Sequence, residues 1–318
     1  MRLAARRRTA VAIHADAGEG RPMNARRDND VAVLMTCFNR RELTLRCLRS
    51  LYAQEPPPGY SLRVLLTDDG STDGTGDSVR AQFPQVAVLQ GDGTLYWCGG
   101  TMMAWNAARP AAFYLWLNDD VVLLPGALRT LIGVYETSGA AATIVVGATR
   151  DPLLGKTVTG GMRRQSWYKC SLMEPADRAA PCDSFNGNIV LVPRAAEDRI
   201  GALAPSFTHY FGDADYGIRA RKAGIPVLLA PGHLGECRLN TRTNTSFDAS
   251  LSLRQRWQNM FGPKGYRRAD EWWAFVHAHA PRPKALYWLA PYALFGVECL
   301  LGGRVILRRD VNTEMVAE

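Results

Sequence analysis

The sequence predicts an α/β protein: a mostly parallel sheet flanked by helices, with a helical extension at its C-terminal end. Three observations lead there. Short apolar runs alternate with amphipathic segments from Val31 to Ala230, the order expected of strands joined by crossover helices. Acidic and polar clusters sit at or beside the ends of those runs, where open α/β sheets gather ligands. The 318 residues are 47% hydrophobic and 21% charged, ordinary for a soluble globular chain and enough to bury a core without staples.

Val31–Thr36 is a continuous apolar run and reads as a buried strand, while Glu42–Ala53 places Leu45, Leu48 and Tyr52 on one helical face. Prolines at 56–58 then mark a loop. Leu62–Thr67 is a second strand ending in DDGSTDGT, Gly76–Gln82 a helix, Val86–Leu89 a third strand and Gly100–Ala108 another helix. Phe113–Leu117 is a fourth strand stopping at Asn118, Gly126–Tyr135 a helix after Pro125, and Thr143–Ala148 a fifth strand. Residues 151–182, with Gly160-Gly161 and Trp167-Tyr168, read as a hairpin excursion over the sheet. Ile189–Val192, Asp213–Ala223 and Pro226–Ala230 follow as strand, helix and strand. The expected organisation is a disordered basic tail over 1–29, a main domain over 30–248 and a helical region over 249–318.

Seven cysteines, an odd number without a C-x-x-C pair, argue against a secreted disulfide framework and for a reducing cytoplasm. Arg6, Arg7 and Arg8 near the start are not followed by an apolar run long enough for a signal peptide. The balance of 38 Lys and Arg against 30 Asp and Glu gives +8, which favours anionic partners. Residues 285–303 approach the length of a membrane span, but Pro291 and Glu298 interrupt them and Arg304, Arg308 and Arg309 follow. That segment is expected either to pack on the main domain or to lie in a membrane interface. His277 and His279 are expected on a solvated helix.

Thr36-Cys37-Phe38-Asn39-Arg40 after the first strand is matched by Asp68-Asp69-Gly70-Ser71 after the second. Such carboxylates can accept hydrogen bonds from a ribose or a base, Phe38 suits a base and Arg40 a phosphate. The same residue types also build tight turns and helix caps. The lack of G-x-G-x-x-G after the first strand argues against a Rossmann dehydrogenase, and the lack of G-x-x-x-x-G-K-[ST] against a P-loop. Asn118-Asp119-Asp120 places paired acids at the end of a buried strand, where uncompensated charge is costly. Either a divalent cation bridging a diphosphate or an Asp cap accounts for them. Asp213 opens a helix that closes with Arg219, Arg221 and Lys222, in keeping with the helix dipole. It is either an N-cap or a general base aimed at an acceptor hydroxyl. Asp215 is explained by an i,i+4 pair with Arg219.

Read together, the clusters resemble the family 2 glycosyltransferases of the GT-A fold, a Rossmann-like architecture. The similarity extends to bacterial rhamnosyl- and galactofuranosyltransferase-like proteins of surface-polysaccharide synthesis. It rests on VLMTCFNRRELTLRCLRSL (33–51), VLLTDDGSTDGT (64–75), YLWLNDDVVLLPGAL (114–128) and YFGDADYGIRARKAG (210–224). The resemblance implies a nucleotide-sugar donor, Mg2+ or Mn2+, and inverting transfer to a hydroxyl of a glycan or lipid-linked acceptor. It places the work in the cytoplasm, at most peripheral to the inner face of the plasma membrane. By motif, Thr36, Phe38, Asn39, Arg40, Asp68 and Asp69 fall on the donor-nucleotide segments, and Gly99, Gly100 and Asn106 on the segment lining the donor. Asn118, Asp119 and Asp120 fall on the D-x-D-like motif, with Asn118 replacing an acid and Asp120 as metal ligand.

Asp213 falls on the catalytic base, although Gly212 stands where relatives often carry Glu. His233 is a few positions early for the relatives' metal-binding His, with Cys237 nearer the expected place. Trp167, Tyr168 and Asn186-Gly187-Asn188, in the least regular stretch, are either acceptor contacts, with Trp167 and Asn186 foremost, or packing and turn residues. A peripheral membrane contact through the C-terminal helix fits the basic excess, and no nucleic acid is expected. Two rivals stand beside this reading. A sugar-phosphate nucleotidyltransferase would carry a Gly-rich basic loop that TCFNRRE does not supply. A non-catalytic module for membranes or nucleic acid leaves the acid clusters unexplained.

Overall fold

The computed structural model describes residues 29–239, 245, 246, 248, 250–262, 265 and 267–300. The tail expected over 1–29, all but its last residue, and the end of the helical region beyond residue 300 lie outside the described residues. The chain runs β1 (Asp30–Cys37), α1 (Arg41–Tyr52), β2 (Ser61–Asp68), α2 (Thr75–Gln82), β3 (Ala87–Gln90), α3 (Tyr96–Ala108) and β4 (Phe113–Leu117). After β5 (Val122–Leu123), α4 (Ala127–Thr137) and β6 (Ile144–Arg150) come five short strands. These are β7 (Thr157–Thr159), β8 (Gly161–Arg164), β9 (Cys170–Leu172), β10 (Ala180–Pro181) and β11 (Ser184–Phe185). The remainder is β12 (Ile189–Pro193), α5 (Arg194–Ile200), α6 (Gly212–Lys222), β13 (Val227–Glu236), α7 (Leu253–Phe261), α8 (Ala269–His279) and α9 (Lys284–Leu300).

The main sheet has the order β10-β13-β6-β12-β4-β1-β2-β3. Strands β3, β2, β1 and β4 are parallel, β12 is antiparallel to β4 and β6, and β13 is parallel to β6. This largely parallel sheet flanked by helices is the fold class the sequence predicts. The reversal of β12 follows from the excursion before it: β8, β9 and β11 form a separate three-stranded sheet, so the chain re-enters the main sheet from the opposite end. As a result the residues just before β12 meet those just after β4, with Asn118 N–H donating to Asn188 O at 3.0 Å.

Helix α3 starts about a turn earlier than its apolar spacing suggests. The carboxylate of Asp69 accepts from the N–H groups of Leu95 and Tyr96, supplying a cap from another loop. Gly100 on α3 lies where a Cβ would sit 2.4 Å from the Thr36 methyl, so glycine lets the helix close on β1.

Two hydrophobic clusters cover the two sheet faces, one centred on Met35, Leu48, Leu66 and Leu115, the other on Leu34, Trp105, Trp116 and Tyr216. A third joins Trp272, Phe275 and Val276 of α8 to Cys98, Phe211 and Ile218. Helix α9 packs in turn on α8, where Trp272 Nε1 donates to Trp288 O at 3.2 Å. No helix among the described residues is long and apolar enough to cross a membrane. One expectation is corrected: His279 is buried, with 1% of its side chain exposed, and Nε2 lies 2.8 Å from Asp215 Oδ1. His279 reads as solvated in the sequence because its partner is 64 positions away, whereas His277 is exposed as expected.

Candidate active site

The loops after β1, β2 and β4 and the turn before β12 converge on a cavity of about 650 Å³, within the range of small-molecule sites. The first two loops are knitted together by Asn39, whose N–H donates to Ser71 Oγ at 2.9 Å and whose Oδ1 accepts from Thr72 N at 2.7 Å. Asp73 closes the same junction by accepting from Arg41 N at 3.0 Å, at the start of α1. Asp68 accepts from Ser71 N. Asp69 accepts from Gly93, Leu95 and Tyr96 N–H groups at 2.9, 3.2 and 2.8 Å. Both acids are therefore committed first to shaping the loops, and of the two only Asp69 reaches the cavity wall.

At the end of β4, Arg40 NH1 bridges Asp119 Oδ1 at 3.2 Å and Asp120 Oδ2 at 2.8 Å. Burial, and after it the Asp120 charge, raises the Asp119 carboxyl to about 7 against the pull of Arg40. The Asp120 carboxylate also meets the Cys237 thiol, whose pKa is pushed up by burial first and then by the Asp120 charge and hydrogen bond. Two carboxylates side by side on the cavity wall are hard oxygen donors of the kind that fits a divalent cation, and in this structure the Arg40 guanidinium supplies the positive charge between them. Asn118 is less free, because its Oδ1 accepts from Trp97 Nε1 at 2.7 Å. His233 does not join the set: it bonds Thr157 Oγ1 at 2.7 Å on β7 and is absent from the cavity wall. Among the described residues no three His, Cys, Asp or Glu side chains gather into a metal-holding group.

Asp213 stands in the first turn of α6 and faces the same cavity. Its Oδ1 accepts from Ala214 N at 2.7 Å and its Oδ2 from Gly187 N at 3.0 Å. Burial raises its pKa, with those two N–H groups pulling the other way. The N-cap reading is corrected: Phe211 holds the N-cap position of α6 without a side-chain cap bond, and Asp213 lies two residues further in as a buried acid facing the cavity. Among the described residues three non-glycine positions have left-handed backbone, Asn39, Tyr96 and Phe211. Asn39 lies in the loop after β1, Tyr96 opens α3 and Phe211 caps α6, all close to this site, where strain of about 1–3 kcal/mol each is held by surrounding contacts.

Of the residues singled out in the sequence, Thr36, Phe38, Arg40, Asp69, Asn118, Asp119, Asp120, Trp167, Asn186 and Asp213 line the cavity. Asn39, which is exposed, and Asp68, Gly99 and Gly100 are not on the cavity wall. Asn106 is exposed on α3, with Arg109 NH1 donating to its Oδ1 at 2.9 Å, so it does not reach the donor side. Sequence reasoning missed much of the aromatic wall, including Trp97, Tyr210, Phe211, Trp272 and Phe275. The cluster YWCGG at 96–100 held a usable signal for Trp97, since a Trp beside paired glycines marks close packing. Nothing local flags Trp272, which comes from a helix 59 residues after Asp213.

Comparison with known proteins bears on this geometry. Residues 32–173 match the family model described as Glycosyl transferase family 2, a segment that contains Arg40, Asp119 and Asp120 but ends before Asp213. Two strains of Mycobacterium tuberculosis, CDC 1551 / Oshkosh and ATCC 25618 / H37Rv, each carry a similar protein named N-acetylglucosaminyl-diphospho-decaprenol L-rhamnosyltransferase. Each is 28% identical over 203 residues, covering 53% of this chain. The chain spans 64% of the length of those relatives.

Proposed function

We propose that this chain, whose residues 32–173 match the family 2 glycosyltransferase model, moves a sugar from a nucleotide-diphosphate donor to an acceptor hydroxyl with inversion. The observation that supports it most is one cavity holding Asp213 together with the Asp119–Asp120 pair. Asp213 takes the proton of the attacking hydroxyl, and its bonds from Gly187 and Ala214 hold the carboxylate in place. Asp120, with Asp119 beside it, would hold a divalent cation, which when bound offsets charge on the donor diphosphate. Arg40 keeps that acid pair compact and adds a positive charge at the same wall. The rings of Trp97, Trp167 and Trp272 give the cavity an apolar wall between the two acid groups. By analogy with the relatives' name, the finer reading is transfer of a deoxyhexose such as L-rhamnose to a sugar on a polyprenyl diphosphate, in cell-envelope polysaccharide synthesis.

A lipid-linked acceptor needs access from a membrane, and α9 suits that role. Leu286, Leu289, Leu294 and Val297 are exposed on it, beside exposed Trp257 and Trp273. The stretch 272–297 has no Asp or Glu but contains Arg282 and Lys284, as expected of an interfacial helix at an anionic, cytoplasm-facing leaflet. The purified chain is expected to float with vesicles containing anionic lipid, and a Leu286→Asp, Leu289→Asp variant to stay in the soluble fraction. Equal flotation of the two would remove α9 from the contact.

The function itself is tested by thermal shift with nucleoside diphosphates and nucleotide-sugars, with and without Mn2+, followed by transfer to an N-acetylglucosaminyl-diphospho-polyprenol. Stabilisation by one nucleotide only when the cation is present, with sugar transfer, supports the proposal. Pyrophosphate release from a sugar 1-phosphate and a nucleoside triphosphate, without transfer, overturns it. The raised pKa of Asp213 gives the pH dependence its sign, since the base works only when ionised. A kcat/KM profile should lose activity on acidification with a midpoint above the ordinary Asp value of about 3.9. An acid limb at or below that value would separate Asp213 from the rate.

A further inference from the structure

We infer that α8, outside the segment matched by the family, is a positioning strut for the catalytic base, with His279 and Glu271 as its two anchors. The inference rests on Asp213 being that base, and on three contacts that converge on its helix.

At the C-terminal end of α8, the imidazole of His279 is bracketed. Lys222 Nζ lies 3.1 Å from Nδ1, and Asp215 Oδ1 lies 2.8 Å from Nε2. An ammonium can only donate, so Nδ1 accepts and Nε2–H donates to Asp215. Asp215 is two residues beyond Asp213 on α6 and is 4% exposed. Its other oxygen accepts from Arg219 Nε at 2.7 Å. Lys222, at the end of α6, also donates to Ala278 O at 3.0 Å. Both ends of α6 are thereby tied to the last turn of α8.

At the N-terminal end, Glu271 Oε1 accepts from Thr208 N at 3.2 Å and from Thr208 Oγ1 at 2.5 Å. Thr208 O in turn accepts from Cys98 N at 2.8 Å, in the first turn of α3. Between the anchors, Trp272 and Phe275 pack on Phe211, with ring centroids 5.6 and 4.8 Å apart. Phe211 is the left-handed residue two before Asp213, with φ 68°. A strained backbone persists when its surroundings over-determine it, and here α8 supplies much of those surroundings. The strut therefore fixes the entry angle of α6, and with it the direction of the Asp213 carboxylate. His279 and Glu271 do not themselves line the cavity; they act through Asp215 and Thr208.

The test uses the full chain with His279→Ala and His279→Gln. The glutamine amide can donate to Asp215 and accept from Lys222, so it should recover most of what alanine loses. His279→Ala is expected to lower kcat about tenfold or more by misdirecting the base, while affinity for a nucleoside diphosphate with Mn2+ changes less than about twofold, because donor contacts are elsewhere. Amide exchange over 208–216 and at Gly187 should rise about tenfold, with β1 and β4 unchanged, as for local loosening. Unchanged kcat and exchange in His279→Ala would overturn the inference, as would a glutamine variant no better than alanine. If the alanine variant does not fold, Glu271→Gln, which keeps one acceptor for Thr208 but loses the charge facing Arg268, carries the same readouts from the other anchor. A wild-type protein without transfer activity defeats the glycosyltransferase reading, and the exchange measurements still decide whether α8 restrains α6.

Discussion

An Asp213→Asn protein is expected to keep its fold, bind nucleoside diphosphate, and lose transfer by about 100- to 10,000-fold, the usual contribution of a positioned general base. Asparagine is nearly isosteric, so the packing around α6 survives. Its amide cannot accept a proton, and one of its two ends now presents N–H rather than oxygen. Because Asp213 accepts one bond at each oxygen, from Ala214 and from Gly187, one of those N–H groups loses its acceptor. That adds a stability loss of about 1–3 kcal/mol, readable by urea denaturation. The decisive pair of measurements is single-turnover transfer and nucleotide affinity on the same preparation. A variant that transfers at the wild-type rate would show that the proton leaves by another route. A variant that has lost nucleotide affinity as much as turnover would make Asp213 part of donor binding instead.

Much of the scaffold was legible because its signals are local. The apolar runs of β1, β2 and β4, Arg40 after the first and the acids after the other two lie within short windows, and the structure places those ends around one cavity. What was not legible depends on pairings across long stretches of chain. Nothing in Ile189–Pro193 states a direction, so the reversal of β12 follows only from the path of the preceding excursion. Asp69 looks like a ligand-facing acid in the sequence; its role as acceptor for three N–H groups depends on a loop more than twenty residues on. His279 lies on a helix whose apolar and polar residues alternate without a clear face, and only the arrival of Asp215 explains its burial. The aromatic wall has the same origin, since Trp97, Trp167 and Trp272 come from three elements that sequence spacing does not connect.

The second large effect is expected at Gly187, which joins the base to the acid cluster through a single ring. A Cβ there would lie 2.5 and 2.6 Å from Trp97 Cζ2 and Cη2, and 3.5 Å from Asp213 Cβ. The indole cannot simply step aside. Its Nε1 donates to Asn118 Oδ1 at 2.7 Å, and its ring meets Trp116 edge-on at 5.8 Å between centroids. Gly187→Ala must therefore push the ring off Asn118, or lift the 187 backbone N–H away from Asp213 Oδ2. The first disturbs the residue beside Asp119, and the second releases the base. Overpacking of this kind lowers stability by about 1–3 kcal/mol, and a displacement near 1 Å at a reacting group lowers turnover about 100-fold. Gly133→Ala is the control, because Gly133 lies within α4 with nothing within 4 Å of the added carbon. That change should leave kcat untouched and leave stability unchanged or slightly higher. Trp97→Phe combined with Gly187→Ala removes the clashing part of the ring, and should recover stability while leaving Asn118 without its donor. If Gly187→Ala alone is fully active, the contact between Trp97 and this turn does not hold the site, and Asp213 keeps its direction without the Gly187 N–H.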